Sequence, residues 1–373
     1  MERVKVHALA LGMTIAMVGL ISLSTTLPAQ QTPQHYTQTN LVADSGSGAS
    51  VTDPNLLNPW GISRSSGSPW WISDHGSGKT TLYTGTGTAI ALVVTIPPAD
   101  SSSQTGTPTG QVYNGTNDFP VAPGKPAHFI FATEDGTISG WNSSVNATLA
   151  VIVVNTKGDS VFKGIAVATV DDPARGILDF LYVADFRKAR VSVYDASFNR
   201  VSLDDDAFRD ERIPEDFAPF NVQNIGGNLY VAFAKQDSTK HDEENGPGLG
   251  YVDVFSPSGR LLHRLESGKW FNAPWGIAQA SGDFGAYSHD ILVGQFGSGE
   301  ILVFDPVTGR FKGQLNDSTN APIVIGGLWA LAFGSGTGSG PANTLYFTAG
   351  SDGDLHGLFG TITPVENALG GDL

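Results

Sequence analysis

Two short stretches of this 373-residue chain bring together side chains that could do chemistry. Asp74 and His75 are adjacent, a carboxylate beside an imidazole, the combination that general acid–base catalysis uses. They are the candidate catalytic residues. Farther on, Lys240-His241-Asp242-Glu243-Glu244 sets one histidine among three carboxylates. His241, Asp242 and Glu243 are candidate ligands for a divalent cation, calcium or similar, because hard cations take carboxylate oxygens and borderline ones also take imidazole. The alternative is an acidic loop that simply stays solvated. HExxH, GxSxG, GxxxxGK and EF-hand spacings do not occur. With no cysteine in the chain, thiolate zinc sites and cysteine nucleophiles are excluded.

What must position these residues is legible from a phrase used twice, NPWGIS from Asn58 and APWGIA from Ala273. Weaker copies occur between and after them. The small or polar anchors Gly61, Gly110, Gly164, Asn221, Gly276 and Ala330 lie 49, 54, 57, 55 and 54 residues apart. Near-equal spacing of this kind marks a repeat architecture. Each anchor opens a short apolar strand, followed by strands such as WWISD (70–74) and TTLYTG (80–85) with turn residues between them. Four strands per unit and six units predict an all-β fold, a six-bladed β-propeller with four antiparallel strands per blade. The last unit shows only three clear strands, while residues 35–43 (HYTQTNLVA) alternate like a strand ahead of the first anchor. This N-terminal strand is expected to pair in the last blade and close the ring, leaving no exposed blade edge.

Turns of an antiparallel meander alternate between the two faces of the disc. The start of the first strand and the turn between strands two and three therefore share a face, called the upper face below. This places Trp60, Thr109, Lys163, Phe220, Trp275 and Trp329 around the axis. Outside them on the same face come Asp74-His75, Glu134-Asp135, Asp185, the long insertion 235–250, Gln295 and Asp354. Trp60, Lys163, Phe220, Trp275, Trp329 and Gln295 are the candidate ligand-binding residues, an apolar mouth rimmed by polar groups. Equally, the aromatics could plug the axial hole. Asp74, Glu134 and Asp185 recur after strand two, which reads as turn capping.

The chain starts with Arg3 and Lys5, an apolar run over 8–21 and a small-residue exit at Leu27-Pro28-Ala29. Residues 1–29 read as a signal peptide and 30–373 as the propeller, which predicts a secreted or periplasmic protein with no integral membrane segment after cleavage. Without the leader, 19 basic and 35 acidic residues remain, a formal charge of −16. Such a surface repels nucleic acid and anionic lipid. The chain is read as a monomer.

The phrases YTQTNLVAD (36–44), NPWGIS (58–63), FIFATEDGTISGWN (129–142), AKQDSTKHDEE (234–244), NAPWGIA (272–278), LVGQFGSG (292–299), TLYFTAG (344–350) and HGLFG (356–360) carry a resemblance across nearly the whole chain after the leader. The sequence resembles a family of uncharacterised secreted bacterial propellers related to the NHL type, often associated with exported proteins bearing membrane-sorting tails. This chain ends at GGDL instead of such a tail, so no surface anchor is expected. The resemblance implies fold and export, and no reaction. Two functional classes stay open. One is a non-catalytic binding or scaffold propeller whose partner is a glycan, a peptide or an envelope protein. The other is a metal-dependent hydrolase similar to six-bladed lactonases. Those hold their ion through Glu, Asn and Asp at inner positions, where this chain offers Asn221 alone.

Overall fold

The computed structural model describes residues 34–46 and 48–365. The expected signal peptide, 1–29, lies outside them. The described chain is predominantly strand, arranged as six antiparallel blade sheets in sequence order around an axis, with a separate two-stranded hairpin of Pro120–Ala122 and Lys125–Pro126. Blade one comprises Pro59–Ser63, Trp70–Asp74, Lys79–Tyr83 and Ala89–Thr95. Blade two opens with Pro108–Tyr113, blade three with Phe162–Asp172, blade four with Phe217–Ile225, blade five with Pro274–Gln279 and blade six with Leu328–Phe333. Each opening strand is innermost and pairs with the second strand of its own blade.

Blade six is completed by the N-terminal strand. Tyr36–Ala43 pairs antiparallel with Leu358–Pro364, from Tyr36 opposite Pro364 to Ala43 opposite Leu358, with one register shift between Asn40 and Val42. The expected closure is therefore present, and the two ends of the described chain are held in one sheet.

The glycine of the repeated phrase has a steric cause. A Cβ on Gly61 would stand 2.5 Å from the Thr109 carbonyl oxygen of blade two, and one on Gly110 would stand 2.7 Å from the Lys163 carbonyl oxygen of blade three. At these two contacts the innermost strands touch backbone to backbone, which only a residue without a side chain permits. Blade four uses Asn221 instead, and its amide donates to the Trp275 carbonyl at 2.7 Å, tying blade four to blade five.

The aromatics that precede these anchors fill the axis. Trp60, Phe220, Trp275 and Trp329 are all buried in one cluster. Trp60 stacks on Trp329 with ring centroids 3.5 Å apart, and Trp275 meets both edge-on. A hole on the axis of six blades is thus closed by indoles, whose large apolar area makes the plug favourable.

Candidate functional site

Register decides which side chains reach the axis on the upper face. Counted from each anchor, Asp74, Thr133, Asp185, Gln295 and Ala349 are equivalent, since they pair with Pro59, Pro108, Phe162, Pro274 and Leu328. The next residue in each blade is His75, Glu134, Phe186, Phe296 or Gly350, and its amide donates to the carbonyl three residues before the anchor. Successive side chains on a strand point to opposite sides. Glu134 is therefore the counterpart of His75, not of Asp74 and Asp185. The reading of Glu134 as a recurrent turn cap is corrected by this one-residue offset.

Asp74 and His75 part company for the same reason. Asp74 is fully buried, and burial pushes its carboxyl well above the usual range, with Asp53 adding to the shift. Its counterpart Asp185 accepts hydrogen bonds from Ser160 at 3.0 Å and Ser192 at 3.4 Å inside blade three. His75 instead lies on the axial side, where its ring stacks against Trp60 at 5.2 Å and its Nε2 is 2.7 Å from Glu134 Oε2.

Glu134 is the hub of the site. Its second oxygen accepts from Lys163, whose side chain is completely buried. The Lys163 ammonium lies 4.9 Å from the Trp60 ring centroid, 5.5 Å from Phe186 and 5.7 Å from Phe220. Its attraction to these ring faces adds to the ion pair. Burial alone would raise the Glu134 pKa, but the Lys163 charge and the His75 hydrogen bond outweigh it and hold the carboxylate far below its usual range. Burial likewise disfavours the Lys163 ammonium, yet Glu134, Glu243 and Asp242 keep its pKa above the usual lysine value.

The insertion of blade four supplies the outer layer. It folds back as a hairpin in which Lys235 pairs with Glu244 and Gln236 with Glu243. The Asp237 carboxylate accepts from the amides of His241 at 2.9 Å and Asp242 at 3.3 Å, so the turn is ordered by its own hydrogen bonds. Asp242 reaches Lys163, with Oδ1 3.5 Å from Nζ, and accepts from His241 Nδ1 at 3.0 Å. That hydrogen bond raises the His241 pKa and lowers the Asp242 pKa. Burial lifts the Glu243 carboxyl to about 7, against the pull of Lys163. Donor atoms of Glu134, His241 and Asp242 lie within 4.8 Å of one another, close enough to share a metal ion. The same oxygens already face the Lys163 ammonium, which a divalent ion would have to displace.

Of the residues expected from sequence, the fold brings His75, Lys163, His241, Asp242 and Glu243 to one place above Trp60. Phe220, Trp275 and Trp329 lie beneath as the buried floor. Gln295 is absent from the cluster: fully buried, it accepts from the Asn272 amide at 2.8 Å and donates to the Val293 carbonyl at 3.1 Å. Glu134 was missed as a site residue, although aligning the blades on their anchors would have set it beside His75. Asp354, on the same face, is held above the ordinary aspartate range by burial, with His75 acting in the opposite direction.

No family model matches the chain. Uncharacterized protein R648 of Acanthamoeba polyphaga mimivirus is 32% identical over 333 residues, spanning 86% of this chain and 78% of the viral one. Uncharacterized protein L690 of the same virus is 31% identical over 330 residues, spanning 84% and 82%. Among solved structures, the soluble aldose sugar dehydrogenase of Escherichia coli matches with a TM-score of 0.53 at 12% identity, over 88% of this chain and 100% of that one. A streptogramin B lyase structure matches with a TM-score of 0.50 at 13% identity, over 89% and 98%. At these identities the likeness is one of fold.

Proposed function

We propose, for a chain that belongs to the same family as the mimivirus proteins R648 and L690, that the upper-face site binds a small neutral glycan in an exported, non-catalytic propeller. The observation that carries this reading is the pairing of charge within the site. Glu134 is neutralised by Lys163 and held by His75, and Asp242 accepts a hydrogen bond from His241. Such a cluster is internally paired, prearranged, and rich in donors and acceptors, which suits hydroxyl groups. His75, His241 and Asp242 are the accessible members and would make the hydrogen bonds. The test is a glycan array followed by calorimetry on the best hit. His241→Ala and Asp242→Asn are each expected to weaken binding about tenfold, as loss of a hydrogen bond to a charged group does. Affinity unchanged in both variants would sink the proposal.

A second reading is favoured by one specific observation, the proximity of Glu134, His241 and Asp242 donor atoms. In it Glu134, His241 and Asp242 would hold a divalent cation in place of the Lys163 ammonium, and the cation would supply Lewis acidity toward a water or substrate oxygen. Elemental analysis of purified protein and titration with Ca²⁺, Mn²⁺ and Zn²⁺ decide between the two. One ion per chain, lost in His241→Ala, favours a metal site on this loop, catalytic or structural, and absence of any ion sinks the hydrolase. The export part of the proposal rests on residues 1–29 and is tested by fractionating cells that express the chain with and without them. Among the described residues, no helix is long and apolar enough to cross a membrane. A monomer is proposed, and light scattering in solution checks it.

A further inference from the structure

The lower face of the disc carries a different axial feature. Beneath the tryptophan plug, the residues that follow the anchors in all six blades enclose a cavity of about 560 Å³. That lies within the roughly 300–1,000 Å³ of small-molecule sites. Its walls are apolar where Ile62, Ile165, Ile225, Ile277, Leu331 and Phe333 line it. Gln111 lines both the cavity and its narrow inner end. The Gln111 amide nitrogen donates to the Gly61 carbonyl at 2.9 Å and to the Trp71 carbonyl, while its Oε1 is buried with no hydrogen-bond partner among the described residues. A buried acceptor left unpaired is costly unless something satisfies it.

The charged residue in this lining is Arg64. Its Nε donates to the Phe333 carbonyl at 2.9 Å and its Nη2 to the Gly334 carbonyl at 3.1 Å, and the guanidinium lies 5.5 Å from the Trp70 ring centroid. Those contacts fix its position without cancelling its charge. Among the described residues no carboxylate forms an ion pair with it, although acids outnumber bases in this chain by 36 to 21. A half-buried guanidinium without a counter-ion is a prepared place for one, since guanidinium and carboxylate match in shape and charge.

We propose that the lower-face cavity is a second ligand site, which takes a small amphipathic carboxylic acid with its carboxylate at Arg64 and its apolar body along the isoleucine wall. The inference is independent of the upper-face reading, because the tryptophan plug separates the two.

Calorimetry with sodium octanoate and its neutral analogue octanamide tests it, on the whole chain. The unaltered protein is expected to bind one octanoate. Arg64→Gln should weaken octanoate about tenfold or more while changing octanamide less than about twofold, because a charge-assisted hydrogen bond is lost and the apolar wall is kept. Retained octanamide binding also reports that the variant is folded. Gln223→Trp, at an exposed position of the lining, should block both ligands. Absence of saturable octanoate binding, or equal affinity in Arg64→Gln, overturns the proposal. So does loss of octanoate binding in Lys163→Met with full binding in Arg64→Gln, which would move the anion to the upper face.

Discussion

His75 Nε2 lies 2.7 Å from Glu134 Oε2, across 59 residues of sequence and the boundary between two blades. Each is the first residue beyond the second strand of its blade, so the repeat itself delivers both to the axis. Lys163, one position before the anchor of blade three, completes the network from a third blade. The site is thus a property of the ring and of no single blade.

Removing Lys163 should cost more than removing its neighbours. Lys163→Met leaves Glu134 buried beside aromatic rings without its cation, a loss of about 3–5 kcal/mol. Adding Glu134→Gln to the same protein should recover a large part of that loss, because the unpaired charge is gone. Urea unfolding of the two single variants and the double variant measures the coupling. Strict additivity would mean the pair is not energetically linked.

The anchor glycine makes a second prediction. Gly61→Ala forces a methyl into the Thr109 carbonyl and should destabilise the protein by about 2 kcal/mol or more, as overpacking against backbone does. Gly67→Ala, where nothing lies within 4 Å of the new methyl, should stay within about 0.5 kcal/mol of the unaltered protein. Thermal melts of both variants compare them directly.

Ring closure can be tested by deletion. Without residues 34–43 the Leu358–Pro364 strand becomes an edge and Tyr36 leaves the core it shares with Phe284. The truncated chain should lose its single cooperative transition and aggregate through the exposed edge. Supplying residues 34–43 as a peptide should restore a sharp melt in a concentration-dependent way.

Stability should also carry a pH signature from Asp253 in blade four. Its carboxyl is fully buried, and burial raises its pKa from 3.8 to about 6 against the opposing pull of Arg264, which donates to it at 2.8 Å. With the folded pKa above the unfolded one, the native chain keeps this proton where the unfolded chain has lost it. The contribution is full below about pH 3.8 and declines as pH rises to about 6, by about 3 kcal/mol at most. Asp253→Asn should flatten that segment of the stability profile obtained by urea titration at successive pH values. An unchanged slope in the variant would remove Asp253 as its source.

The six anchors, the blade count and the closing strand were all legible in the sequence, because strand period and turn chemistry are local and a small or polar anchor, glycine in four blades, repeats where inner strands touch. The tryptophans were legible as axial residues for the same reason. Their state was not: whether indoles line a mouth or seal it depends on how four rings from four blades pack together. The blade-four hairpin was visible only as an acidic run, and its reach over Lys163 depends on where the fold places blades two and three. Glu134 shows the limit most sharply, since one residue of register separates a turn cap from the hub of a charge network, and that register is set by pairing with a strand some 25 residues away. Local chemistry in the chain determined the disc; only packing across blades decided which of its charges meet.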